Sequence, residues 1–479
     1  MGSILGMHRF AALVLATGIC VGSAVAPAAA APVPVHPRPA TFSAGAAGLG
    51  DPYFPQEGNG GYRPLHYDLN LSYQPTHHQL AGVVTLLARA TQNLSRFDLD
   101  LQGLTVRRVT VDGLTASFTR KGQELIITPP FGLLAGTPFL VSVRYDGSPK
   151  TVEHSPVSFG SPYGWMYTKD GAFVGCEPNA ASTWYPSDDH PSQKATFTTR
   201  VTVPSDRAVV ANGDLLGHWT SGKQATYLWN ETSPMATYLA TIDIGKWQIR
   251  SGRTPGGIRE TVAVDPTVAE DAADTFALTG RITDYWAKTF GPYPFTSTGA
   301  IVDNFPDVGF SLETQTRPLY GFAPDSILAA HELAHQWFGD SVSVANWSQI
   351  WLNEGFATFA ENLWDEHTGG PTTLQNAKGW YDTYNGDPTF WTIPIGNPGP
   401  DGMFDQAVYY RGFMTLALLR HKIGDTKFFG LLRAWTKTHR NGTGTTTQFV
   451  ALAEQMSGQQ LGSFFQAWLF ATKQPRWPA

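Results

Sequence analysis

Cysteine is nearly absent: the 479-residue chain holds two, Cys20 and Cys176. Cys20 falls in an N-terminal stretch that reads as a leader, so a processed chain would keep Cys176 alone and have no intrachain disulfide. Charge is scarce too. Charged residues make up 15%, the net charge is -6, and no Lys/Arg cluster interrupts the sequence. A nucleic acid or an anionic membrane therefore has no electrostatic footprint in the sequence. Beyond the leader no apolar run is long enough to cross a bilayer, and no internal repeat is present. What the chain does have is 42% hydrophobic and 13% aromatic residues, enough core for two or three domains.

The leader has a basic start at Met7-His8-Arg9, a mostly apolar run over 10–21 and small residues ending at Ala28-Ala29-Ala30. That order is a secretory signal, expected to cover 1–30, and it makes the protein extracellular with no stable membrane association. A retained anchor is the competing reading, opposed by the short apolar core and by Pro27. Lipidation at Cys20 is opposed by Ile19, which stands where a small residue is needed.

Residues 31–50, rich in Ala, Pro and Gly, are expected to form a flexible lead. From 51 to 252, alternating runs such as Thr196-Phe197-Thr198-Thr199-Arg200-Val201 sit between Gly, Pro and Asn turns, the pattern of a β domain. From 253 to 479 the period becomes helical, with helices expected over 269–290, 352–367, 410–422 and 428–438. The segment 171–191, which mixes Pro, Gly and Trp, is expected to be a long loop.

The chemistry is concentrated in the second domain, at His331-Glu332-Leu333-Ala334-His335, followed after eighteen residues by Glu354 in Trp351-Leu352-Asn353-Glu354-Gly355. H-E-x-x-H would arise by chance about 0.01 times in a chain of this composition. Asp325 is placed to cap a helix running into the motif, and Gly339-Asp340 to close it. On that helix His331 and His335 share a face, while Glu332 lies about 100° round the axis. Two imidazoles and one carboxylate with an open fourth position make a catalytic rather than a structural zinc site, holding one ion. Glu332 cannot readily bind the same ion but can reach a water beside it, the position of a general base that later acts as acid. Glu354 taken alone is equally explained by the helix dipole; beside the pentapeptide it reads as the third ligand. Glu361, seven residues further along the same helical face, fits either a partner for a zinc histidine or a solvated face.

These residues resemble the zinc aminopeptidases of the aminopeptidase N and leukotriene hydrolase family. The resemblance extends to Gly309-Phe310-Ser311-Leu312-Glu313-Thr314, to Tyr409-Tyr410-Arg411-Gly412, to Cys176-Glu177-Pro178 and to Tyr185-Pro186-Ser187-Asp188-Asp189. It implies a mainly antiparallel, saddle-like β domain followed by a mostly α, thermolysin-like catalytic domain, with peptides as substrates. It also implies Tyr409 as the donor to the oxyanion, and Glu313 with Glu177 as the pair that binds a free α-amine. Two departures stand out. Phe310 replaces the glycine, and Thr314 the asparagine, of the family's Gly-Ala-Met-Glu-Asn strand, and about seventy residues follow Tyr409, as though the helical C-terminal domain of larger relatives were missing. An endopeptidase of thermolysin type, or an inactive binding protein on the same scaffold, are the alternatives to an aminopeptidase.

Overall fold

The computed structural model describes residues 41–153 and 161–478. The expected signal segment and the first part of the lead lie outside the described residues. The remainder of the lead corrects the expectation of flexibility. Ser43–Ala44 pairs in parallel with the strand Leu94–Asp100, and Gly60 N donates to the Ala46 carbonyl at 2.8 Å. Small residues there permit close backbone pairing, so a composition that suggests a linker is used for docking.

Among the described residues the β half is built on an eight-stranded sheet. Its central strands are Ala195–Pro204, Tyr62–Gln74, Gln79–Ala90 and Pro138–Gly147. Pairing is antiparallel except between Tyr62–Gln74 and Ala195–Pro204, which run in parallel. The alternation in the sequence becomes alternation in burial: Leu80, Val84, Leu86 and Ala88 face the core while their neighbours face water.

A smaller sheet contains Tyr163–Tyr167, Ala172–Gly175 and Ile242–Gly245, and Ala172–Gly175 delivers the chain directly to Cys176 and Glu177. The segment expected as a long loop is thus an interior one. Trp184, Tyr185 and Asp188 are fully buried, and its backbone finds internal partners, with Asp189 N donating to Asp100 Oδ2 at 2.8 Å and Ser182 N to Asp189 Oδ2 at 3.0 Å.

The sheet that serves the site has the order Gln248–Arg253, Arg259–Val264, Ser297–Val302, Leu319–Tyr320, Ser311–Leu312. Its first strand spans residues 252 and 253, where the composition changes. Its other edge, Ser311–Leu312, runs antiparallel to Leu319–Tyr320 and leads straight into Glu313. Helices pack beyond it. The first of them, Thr275–Thr289, starts later than the periodicity suggests because 266–274 form irregular turns.

Two helices fix the geometry of everything that follows. The helix Trp351–His367 crosses Gln406–Ile423 at Gly355 and Gly412, where a Cβ on Gly412 would lie 2.6 Å from the Gly355 Cα. Only glycine on both sides permits that approach. The neighbour of Gly412, Arg411, is fully buried and satisfies its guanidinium on five carbonyls, those of Trp391, Ile393, Ala467, Trp468 and Ala471, at 2.7–3.2 Å. The rotation of the second helix is therefore set at Arg411, two residues from Tyr409 and one from Tyr410.

Candidate active site

The motif helix, Ser326–Ala334, starts where expected: the Asp325 carboxylate accepts from Ile327 N and Leu328 N, each at 2.9 Å. It ends sooner than Gly339-Asp340 suggests. His335 closes it, and the early stop leaves the Phe338 carbonyl free to accept from His335 Nδ1 at 3.0 Å.

The other imidazole is held in the same way, His331 Nδ1 lying 2.5 Å from Glu361 Oε1. With an acceptor facing each Nδ1, the proton sits there and both Nε2 lone pairs are left for a metal. Those Nε2 atoms face Glu354 Oε2, at 3.3 Å for His331 and 3.6 Å for His335. Tetrahedral bonds of about 2.0–2.1 Å separate adjacent ligands by about 3.3 Å, close to the spacing of each imidazole from Glu354, and all three atoms lie within 4.8 Å of one another. His331, His335 and Glu354 form the candidate zinc site. Of the two roles open to Glu361 in the sequence, the structure places it against a zinc histidine.

Around this trio lies a cavity of about 220 Å³ lined by Glu177, Glu313, Glu332, Glu361 and Tyr409, with Phe310, Leu312, Leu328 and Phe404 as apolar lining. Every site residue named from the sequence is therefore in one place. Glu177, Glu313 and Glu354 bring carboxylate oxygens within 4.8 Å of one another. Burial and then the repulsion of Glu313 push the Glu177 carboxyl well above the ordinary carboxylate range, and its Oε1 has no hydrogen-bond partner among the described residues. Burial also raises Glu313, against the attraction of His335. Burial alone would raise Glu354 as well, but positive charge on the two imidazoles, which the surrounding acids favour until a metal takes its place, outweighs it and holds that group down to about 2. Glu332, buried beside them, is pushed up to about 8.

The neighbouring tyrosines separate cleanly. Tyr409 stacks along His331, with ring centroids 6.2 Å apart and planes 22° from parallel, while Tyr410 stacks on Trp380 at 4.0 Å. Burial and then Glu354 keep the Tyr409 phenol well above its ordinary range, so it is a neutral donor.

Two supporting residues were not singled out from the sequence. Gln336 donates through Nε2 to the Glu313 carbonyl at 3.1 Å and accepts from Thr316 N at 2.7 Å, tying the motif helix to the edge strand. Tyr238, from the β domain, donates to Glu313 Oε1 at 3.5 Å. Gln336 follows the motif histidine directly and was within reach of a sequence argument; Tyr238 stands in no recognisable pattern.

Comparison with known proteins places both halves. Residues 63–239 match the Peptidase M1 N-terminal domain and residues 326–468 the Peptidase family M1 domain. The chain is similar to leukotriene A-4 hydrolase of Xenopus laevis, 26% identical over 424 residues, covering 80% of this chain and 66% of that protein. It is also similar to aminopeptidase M1 of Arabidopsis thaliana, 26% identical over 339 residues, covering 65% of this chain and 37% of that one. The chain thus spans about two-thirds or less of the length of these curated relatives. Among solved structures it resembles the M1 zinc metallopeptidase of Deinococcus radiodurans, in a mutant form bound to a Tyr-Ser-Ala substrate. The TM-score is 0.84 and the identity 28%, over 90% of this chain and 99% of that one.

The contact to His331 makes a prediction. Glu361→Gln, which keeps the shape but weakens the hold on the imidazole, lowers zinc affinity about 10–100-fold. Competition with a chromogenic chelator measures it, and unchanged affinity would contradict the role given to Glu361.

Proposed function

The chain belongs to the M1 peptidase family, and on that premise we propose that it is a zinc-dependent aminopeptidase, exported from the cell, that removes N-terminal residues from peptides. The observation that carries this reading is the pair Glu177 and Glu313 beside the zinc trio. Carboxylates crowded together out of water repel one another until a cation joins them, and a peptide's α-ammonium is a cation of the right size, with three donors. An interior peptide bond offers no such charge. The relative bound to Tyr-Ser-Ala supports peptides as the substrate class. Export rests on the basic start, apolar run and Ala28-Ala29-Ala30 site of the leader.

Zinc bound by His331, His335 and Glu354 would supply a Lewis acid that polarises the scissile carbonyl and acidifies a water. The remaining work belongs to the chain. Glu313 and Glu177 bind the ammonium and so fix which peptide bond lies over the metal ligands. Glu332 takes a proton from the attacking water and passes it to the leaving nitrogen; burial makes its carboxylate a stronger base than a solvated glutamate. Tyr409 donates its phenolic proton in a hydrogen bond to the oxygen that becomes negative. Glu361 and the Phe338 carbonyl hold the protons of both imidazoles at Nδ1 throughout.

Two experiments test the reading. Aminoacyl chromogenic amides are cleaved in a chelator-sensitive reaction, and their N-acetylated counterparts at least about 100-fold more slowly; comparable cleavage of both would point instead to an endopeptidase. Glu332→Gln keeps one zinc per chain while kcat falls about 10²–10⁴-fold. Loss of the metal in that variant would assign Glu332 to zinc binding rather than proton transfer.

A further inference from the structure

Once the α-amine is held at Glu177 and Glu313 and the first carbonyl lies at the zinc trio, the Cα between them is fixed. The part of the lining not taken up by those groups, and so open to its side chain, includes the apolar Phe310, Leu312, Leu328 and Phe404. The charged groups lining the cavity already have work: the zinc trio, the proton carrier Glu332, the amine pair, and Glu361 on His331 Nδ1. None stands ready to pair with a charged substrate side chain.

Phe310 departs from the family's strand, where a glycine stands. The structure shows where its ring goes. A Cβ built on Gly175 would meet Phe310 Cε2 and Leu312 Cδ2, each at 3.4 Å. The ring therefore rests over Gly175, the last residue of Ala172–Gly175, in space that a larger residue at 175 would occupy. A methyl there is in ordinary contact; anything bulkier would drive the ring into the cavity. The backbone has its own tether, Gly309 N donating to Ser161 Oγ at 3.2 Å. Ring and glycine are size-matched across two strands, and the exposed side of the ring forms part of the cavity wall.

Resting on the aminopeptidase reading, we infer that Phe310, seated on Gly175, is the specificity-determining residue for the N-terminal side chain. It selects apolar side chains of moderate size, such as leucine and methionine, over charged ones and over the bulk of tryptophan. Leu328 and Phe404 complete the surface against which that side chain packs.

The test is a profile of kcat/KM on aminoacyl chromogenic amides of Ala, Leu, Met, Trp, Lys and Asp, run on the zinc-loaded wild-type enzyme, on Phe310→Ala and on Gly175→Val. Wild type favours Leu and Met. Phe310→Ala raises the Trp/Leu ratio at least about tenfold, the scale at which apolar pockets discriminate by size. Gly175→Val, whose extra methyls reach past the contact distance of a single Cβ and crowd the ring toward the cavity, moves preference the other way, raising Ala relative to Leu. Because Gly175→Val leaves Phe310 itself in place, it tests the pairing even if Phe310→Ala folds poorly; zinc content and melting temperature establish folding. A wild type that prefers Lys or Asp, or ratios that stay within twofold in both variants while cleavage persists, overturns this inference and leaves the aminopeptidase reading standing. Absence of cleavage of every aminoacyl amide by the wild type overturns both.

Discussion

Three carboxylates, Glu177, Glu313 and Glu354, are brought within 4.8 Å of one another out of water. Such a cluster is costly unless positive charge neutralises it. Both imidazoles meet Glu354 directly, at 3.3 and 3.6 Å, and that is why it is held low while burial drives Glu177 and Glu313 up. The arrangement divides the site in two. Glu354 and its histidines make a place for a metal ion, and the other two acids make a place for a second cation, which the substrate brings with it. Affinity for an N-terminus and position of the bond to be cut then come from one electrostatic demand.

Holding that cluster together takes elements from both halves of the molecule. Glu177 arrives from the end of a β-domain strand, Glu313 from an edge strand, and Glu354 from a helix positioned by the Gly355 and Gly412 crossing. Gln336 and Tyr238 then tie Glu313 to the motif helix and to the β domain. Lys194 adds a third tie, its Nζ donating to the carbonyls of Asp340 and Ser341 at 2.6 and 3.1 Å. Glu313 and His331 are thus held by contacts from distant segments, the preorganisation that charge stabilisation in a dry site needs.

The local grammar of the site was open to reading. His331, Glu332 and His335 are spaced by the helical repeat, Asp325 caps as its side chain dictates, and the alternation in strands such as Gln79–Ala90 is the alternation seen in burial. What could not be read depends on contacts between distant segments. The Gly355 and Gly412 approach, the seat of Phe310 on Gly175 and the hydrogen bond from Tyr238 leave no period in the sequence. Composition could not tell packing from exposure in two places. Residues 41–50, expected to be flexible, dock on a strand, and 171–191, expected to be a loop, is largely one but lies inside; small and turn-forming residues serve close packing as readily as flexibility, and only the partner surface decides which. The choice between Glu361 as a surface acid and as the hold on His331 was similarly a matter of what lies opposite, thirty residues away.

The central claim is that a buried acid pair beside the metal reads a free amine. The most direct measurement compares kcat/KM for a leucyl chromogenic amide with that for the same amide lacking the α-amino group, in wild type and in Glu313→Gln with zinc content matched. Charge-assisted hydrogen bonds at a buried site correspond to a preference of about 100-fold for the amine. The account predicts that preference in the wild type and its collapse to within about tenfold in Glu313→Gln. A variant that keeps its zinc and the whole preference would contradict it.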